Sequence, residues 1–186
     1  MQKSCAFTGH RPDKFSFGFD ESHPDCIRLR KAIDQSVARL VQAGITTFYT
    51  GMALGVDLWA AQAVLALREK NLALRLVAVQ PCATQSDRWG EKEREIYRSI
   101  LAQADERICL HESYTRYCMH ERNRYMVDRA QYLLAIYDGG ESGGTASTVR
   151  YAESCRRNIW LLDPDSLQLV QLVPPQMSLF ESNNTE

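Results

Sequence analysis

The 186-residue sequence has no C-x-x-C pair, no H-E-x-x-H stretch, and no gathering of its six cysteines and four histidines at the spacing that structural zinc requires. Cys5, Cys26, Cys82, Cys109, Cys118 and Cys155 therefore read as free thiols packed as small hydrophobes in a reducing compartment, and no metal site is expected. Charge of one sign is also missing. Lys and Arg number 22 against 23 Asp and Glu, a formal net charge of −1, which disfavours a nucleic-acid binder working by bulk attraction. No apolar run approaches the roughly 20 residues of a membrane span, and the first residues carry no secretory apolar segment. The expectation is a cytoplasmic protein without membrane contact. G-x-G-x-x-G, a P-loop, internal repeats and low-complexity tracts are absent too.

What is present is the composition of a normal core, 45% apolar and 24% charged, at a length suited to one domain. Short apolar runs alternate with helical periodicity, which predicts an α/β fold, a single Rossmann-like three-layer domain with a mostly parallel sheet. Strands are expected at 5–8, 45–50, 74–79, 107–110, 132–137 and 158–162. Pro24 opens a helix with Cys26, Leu29, Ile33, Val37 and Leu40 on one stripe, closed by Gly44. Further helices are expected at 56–68, around Ile96 to Leu101, at 119–130 and at 144–156. The expected domain covers 1–163, followed by a C-terminal segment and mobile tail at 164–186.

Ligands of an open parallel sheet sit beyond the carboxyl ends of its strands. Thr8, Gly9, His10 and Arg11 follow the first strand, and Gly51, Gly55 and Asp57 the second. Arg122 and Asn123 open a helix, and Asp138, Gly143, Gly144 and Thr145 follow the strand that ends at Tyr137. Glycines allow close backbone approach and free amides at a helix start attract phosphate, so Gly9, Gly51, Gly55, Gly143, Gly144 and Thr145 form a candidate cradle. Turn geometry alone also accounts for glycine at such places. Arg11 and Arg122 offer paired donors to an anion, or are solvated ends of helices. His10 suits a ribose or phosphate, or pins its own turn. Asp57 and Asp138 suit ribose hydroxyls, although Asp57 also favours its helix dipole. Gln85 and Trp89, four apart, are positioned to share a helical face for a nucleobase, or Trp89 covers the sheet end.

The runs TGHRP at 8–12, TGMALGVDLWAA at 50–61, RNRYMVDRA at 122–130 and DGGESGGTASTV at 138–149 resemble the YpsA-like family of the SLOG superfamily. That superfamily has a Rossmann-like fold and includes DprA and the LOG-type phosphoribohydrolases, formerly called lysine decarboxylases. The resemblance implies a binder of a nucleotide-derived small molecule, of nucleoside monophosphate, NAD or ADP-ribose type, acting as sensor or adaptor; no cofactor is certain. A second implication is a nucleotide N-glycosidic hydrolase, with Arg122 at the position of the LOG arginine. In that family's P-G-G-x-G-T-x-x-E turn, however, the glutamate position holds Thr148 here, which cannot serve as a carboxylate. A third is DprA-like binding of single-stranded DNA. Many relatives form homodimers.

Behind Pro174 and Pro175, the stretch Gln176, Met177, Ser178, Leu179, Phe180 resembles the Q-[L/M]-[S/D]-L-F peptide by which bacterial replication and repair proteins dock on the DNA polymerase sliding clamp. Gln176, Leu179 and Phe180 are its anchors. The alternative is that Leu179 and Phe180 fold back onto the sheet as a latch.

Overall fold

The structure, a computed structural model, describes residues 3–172. One sheet of seven strands has the order β4-β3-β2-β1-β5-β6-β7. Its members are β1 (Lys3–Gly9), β2 (Ile45–Thr50), β3 (Arg75–Gln80), β4 (Glu106–Cys109), β5 (Tyr132–Ile136), β6 (Asn158–Leu162) and β7 (Leu169–Leu172). All neighbours pair in parallel except β6 and β7, which are antiparallel. Strand β1 is central and continuously buried from Ser4 to Thr8, as expected of a parallel strand covered on both faces.

The helices are α1 (Pro24–Gln42), α2 (Val56–Arg68), α3 (Glu91–Gln103), α4 (Cys118–Arg129) and α5 (Gly143–Ser154). Connections from β1 to β4 run outward in one direction, so α1, α2 and α3 lie side by side on one face, around Phe7, Leu29, Phe48 and Trp59. The chain then returns past β1 to β5, which puts α4 and α5 on the opposite face with Met126, Val127, Val149 and Ile159. Helix α2, apolar on most of its circumference, is the most enclosed, with Val56, Leu58, Ala60, Ala61 and Val64 at most 4% exposed. Helix α1 starts where the His23 side chain accepts from the Asp25 amide and Pro24 occupies the first turn. It ends beside Gly44, whose φ of 86° suits the left-handed turn into β2.

The expected strands and helices are all present, most with ends within two residues of the expectation, while α3 reaches back to Glu91, well ahead of the Ile96 to Leu101 stretch that announced it. Two local readings differ. Residues 83–88 form successive turns and α3 begins only at Glu91, so Gln85 and Trp89 share no helical face. The amides of Gln85, Asp87 and Trp89 bond carbonyls three residues back, in isolated turns. The sheet also continues past 163. Asp163 caps a turn by accepting from the Asp165 and Ser166 amides, and β7 folds back on β6 with Leu169 opposite Leu162. The stretch L-V-Q-L, three apolar residues out of four, carries no alternation that would mark it as a strand.

Candidate functional site

The strand order reverses between β1 and β5, so the crevice outside their carboxyl ends is the position where this architecture receives a ligand. His10, directly after β1, places Nε2 3.2 Å from Oδ1 of Asp138, directly beyond β5, and so ties the two crevice walls together. Asp138 also accepts from the Gly140 amide. That amide and His10 hold its carboxyl below the usual carboxylate range. Its side chain is still 49% exposed.

The β1 turn separates two recesses. Arg11, exposed, lines a cleft of about 640 Å³ together with Cys82, Gln85, Arg88, Trp89, Tyr114 and Met119. His10 and Asp138 instead line a recess of about 410 Å³ with Lys14, Phe15, Phe17 and Asp165. Trp89 is partly buried against the core and meets Tyr97 edge-on, with ring centres 5.2 Å apart. It therefore covers the sheet end and lines the cleft at once.

The glycines divide into two groups. A β-carbon on Gly9 would lie 2.5 Å from Val56, and one on Gly55 would lie 2.8 Å from Pro12, while one on Gly51 would strike the Arg122 guanidinium. These three let the protein's own parts close together. Around Gly143 and Gly144 nothing lies within 4 Å of the added carbon. Ser142, the residue preceding α5, makes no side-chain capping bond. The start of α5 therefore has no side-chain cap from Ser142, and the side-chain positions of Gly143 and Gly144 are open.

Other residues expected at the site are turned inward. Thr8 is 5% exposed, Thr145 8% and Asp57 6%. Arg122, 5% exposed, donates from Nη1 to the Gly51 carbonyl and lies 3.4 Å from Oδ2 of Asp57, which also accepts from the Ala53 amide. Burial pushes the Asp57 carboxyl up and the Arg122 guanidinium down, and each charge partly offsets the shift of the other. The Gln85 amide donates to the same Gly51 carbonyl, and its oxygen accepts from the Tyr97 hydroxyl. Asn123 donates to Thr148, whose hydroxyl bonds the Gly144 carbonyl, so this pair joins α4 to the start of α5. His10, Arg11, Trp89, Asp138, Gly143 and Gly144 remain the expected residues that face open space.

Tyr97 was not among the expected site residues, although it links Gln80 to Gln85 behind the cleft and burial pushes its hydroxyl up to about 12. Its only sequence signal is its place on the apolar stripe of α3, which looks like ordinary core. Arg88 lines the cleft from a turn and Tyr114 from an irregular stretch, neither of which carries a motif. The clamp-type anchors Gln176, Leu179 and Phe180 lie outside the described residues. Among the described residues no helix is long and apolar enough to cross a membrane.

The sequence model of the YspA SLOG family matches residues 5–167. A UPF0398 protein of Bacillus pumilus is 30% identical over 155 residues, covering 82% of each chain. The UPF0398 protein YpsA of Bacillus subtilis is 29% identical over 174 residues, covering 90% of this chain and 96% of its own. Among solved structures, DNA processing protein A from Helicobacter pylori, described for its single-stranded DNA binding mode, superimposes with a TM-score of 0.60 at 18% identity. That likeness covers 87% of this chain but only 65% of the Helicobacter protein. A structural-genomics target, TM1055, has a TM-score of 0.52 at 16% identity, covering 85% of this chain and 72% of its own.

Proposed function

From the premise that this chain belongs to the YspA SLOG family, we propose that it binds a nucleotide-derived small molecule at the carboxyl edge of its sheet and acts as a sensor or adaptor. The observation that carries the reading is the start of α5, where Gly143 and Gly144 leave open space at an end without a capping side chain, beside the reversal of strand order. A phosphate there gains the free amides and the favourable end of the helix dipole. The cleft with Arg11, Trp89 and Tyr114 supplies a cation and aromatic surface for the rest of the ligand. Nucleoside monophosphates, NAD and ADP-ribose all combine these groups.

Hydrolysis of an N-glycosidic bond is the less supported alternative. Such a reaction needs a carboxyl group for proton transfer or charge stabilisation, and the corresponding position holds Thr148, itself bonded to Asn123 and Gly144. Arg122 is already engaged by Asp57 and Gly51. The fold shared with the Helicobacter DNA-binding protein raises single-stranded DNA as a ligand, but the net charge of −1 favours a small one.

A thermal-shift series with AMP, NAD, ADP-ribose and a short single-stranded DNA tests this. A ligand at about a hundred times its Kd stabilises by about 2.7 kcal/mol. Stabilisation by a nucleotide and none by DNA is the expected result. No shift with any nucleotide at millimolar concentration would overturn the proposal, and release of free base over hours would transfer it to the hydrolase reading.

A further inference from the structure

His10 and Arg11 are neighbours in the chain, yet they line different hollows, and both hollows lie along the carboxyl edge of the sheet. The cleft of Arg11 reaches to the turn after β3, which carries Trp89, and the recess of His10 reaches to the turn after β6, which carries Asp165. From β3 to β6 the strand order counts four spacings, about 19 Å at roughly 4.8 Å each. Each hollow has the volume of a small-molecule site, about 640 Å³ and about 410 Å³ against the usual range of roughly 300–1,000 Å³. A mononucleotide with its base on Trp89 and its phosphate at the start of α5 leaves the recess empty.

The two hollows also differ in chemistry. Arg11 and Arg88 face the cleft with only Asp87 against them. Asp25, Asp138 and Asp165 face the recess with Lys14 and Arg28, and Arg28 is already paired with Asp25. The recess is therefore a poor place for a further phosphate. Phe15 and Phe17 stack there with ring centres 5.0 Å apart, and Pro164 and Leu167 add apolar surface from the turn after β6. Oδ1 of Asp138 takes the bonds from His10 and from the Gly140 amide, which leaves Oδ2 to accept from hydroxyls. A carboxylate set among apolar side chains suits the diol and the carbon face of a sugar.

We propose, resting on the nucleotide reading above, that the ligand is linked by a pyrophosphate and carries a second sugar. One nucleoside lies in the cleft, the pyrophosphate crosses the β1 turn between Arg11 and the start of α5, and the distal ribose enters the recess with its hydroxyls on Asp138. This chemistry is shared by ADP-ribose and NAD and is lacking in AMP and ADP.

Isothermal titration calorimetry of the full chain with AMP, ADP, ADP-ribose and NAD tests the proposal. At least one of ADP-ribose and NAD is expected to bind about tenfold tighter than AMP and ADP, the effect of one or two added hydrogen bonds. The tighter of the two shows whether the second sugar is free or carries a base. Ser16 and Asp165 are exposed and line the recess from different loops. Ser16→Trp and Asp165→Trp are each expected to melt like wild type, to erase the preference and to leave AMP affinity unchanged, and either one suffices if the other fails to fold. AMP binding with neither ADP-ribose nor NAD tighter overturns the proposal and leaves the nucleotide reading standing. A preference that survives in a folded Trp variant also overturns it, because the second sugar then lies outside the recess. Absence of binding by all four ligands ends both readings.

Discussion

Arg122 of α4 and Asp57 of α2 form an ion pair behind the Gly51 carbonyl, with side chains only 6% and 7% exposed. It spans the sheet edge and joins helices from opposite faces, so it holds together the floor beneath the cleft. The Nε atom of Arg122 has no partner among the described residues, which adds to the cost of keeping the charge inside.

Removing one member of such a pair leaves the other buried and uncompensated, at a cost of about 3–5 kcal/mol. Arg122→Ala and Asp57→Ala are each expected to lower stability by that order in urea titration. The double variant Arg122→Met, Asp57→Leu is expected to lose less than either single change. An unchanged urea midpoint for Arg122→Ala would show that the pair does not support the fold.

The two groups of glycines predict opposite outcomes. Gly9→Ala drives a methyl group into Val56 and is expected to cost about 1–3 kcal/mol. Gly144→Val meets open space and is expected to change stability by about 0.5 kcal/mol or less while abolishing nucleotide-induced stabilisation. Thermal melts of both variants with and without AMP separate the roles. Full AMP stabilisation of Gly144→Val would remove the start of α5 from the site.

Acid should weaken the crevice. The Gly140 amide and His10 hold Asp138 below the ordinary carboxylate range, so its contribution is present above the unfolded value. That contribution is lost as pH falls below about 4 toward the depressed folded value. Subtracting the melting profile of Asp138→Asn from that of wild type is expected to give a difference that shrinks as pH falls below about 4. A difference that grows with acid would reverse the assignment. The effect is small, because the side chain is half exposed.

The tail makes an independent prediction. A labelled peptide spanning Pro174 to Glu186 is expected to bind purified sliding clamp in fluorescence anisotropy, and the triple change Gln176→Ala, Leu179→Ala, Phe180→Ala is expected to abolish binding. Equal signals from the two peptides would end that reading.

The alternation of short apolar runs with helical stripes was enough to set the order and type of β1 to β6 and α1 to α5, because burying a strand on two faces and a helix on one leaves a periodic trace. The openness of Gly143 and Gly144 was half legible: glycine ahead of a helix marks a close turn, but only the surrounding atoms decide whether the space beside it is filled, as at Gly9, or free. The direction of a polar side chain was not legible at all. Arg122 and Asp57 are 65 residues apart in the chain, and Gln85 finds its carbonyl 34 residues away. Whether such a residue turns toward a ligand or a distant partner depends on which groups the sheet order brings together, and no local pattern carries that information. Strand β7 was likewise set by its ladder with β6, since L-V-Q-L carries no alternation of its own.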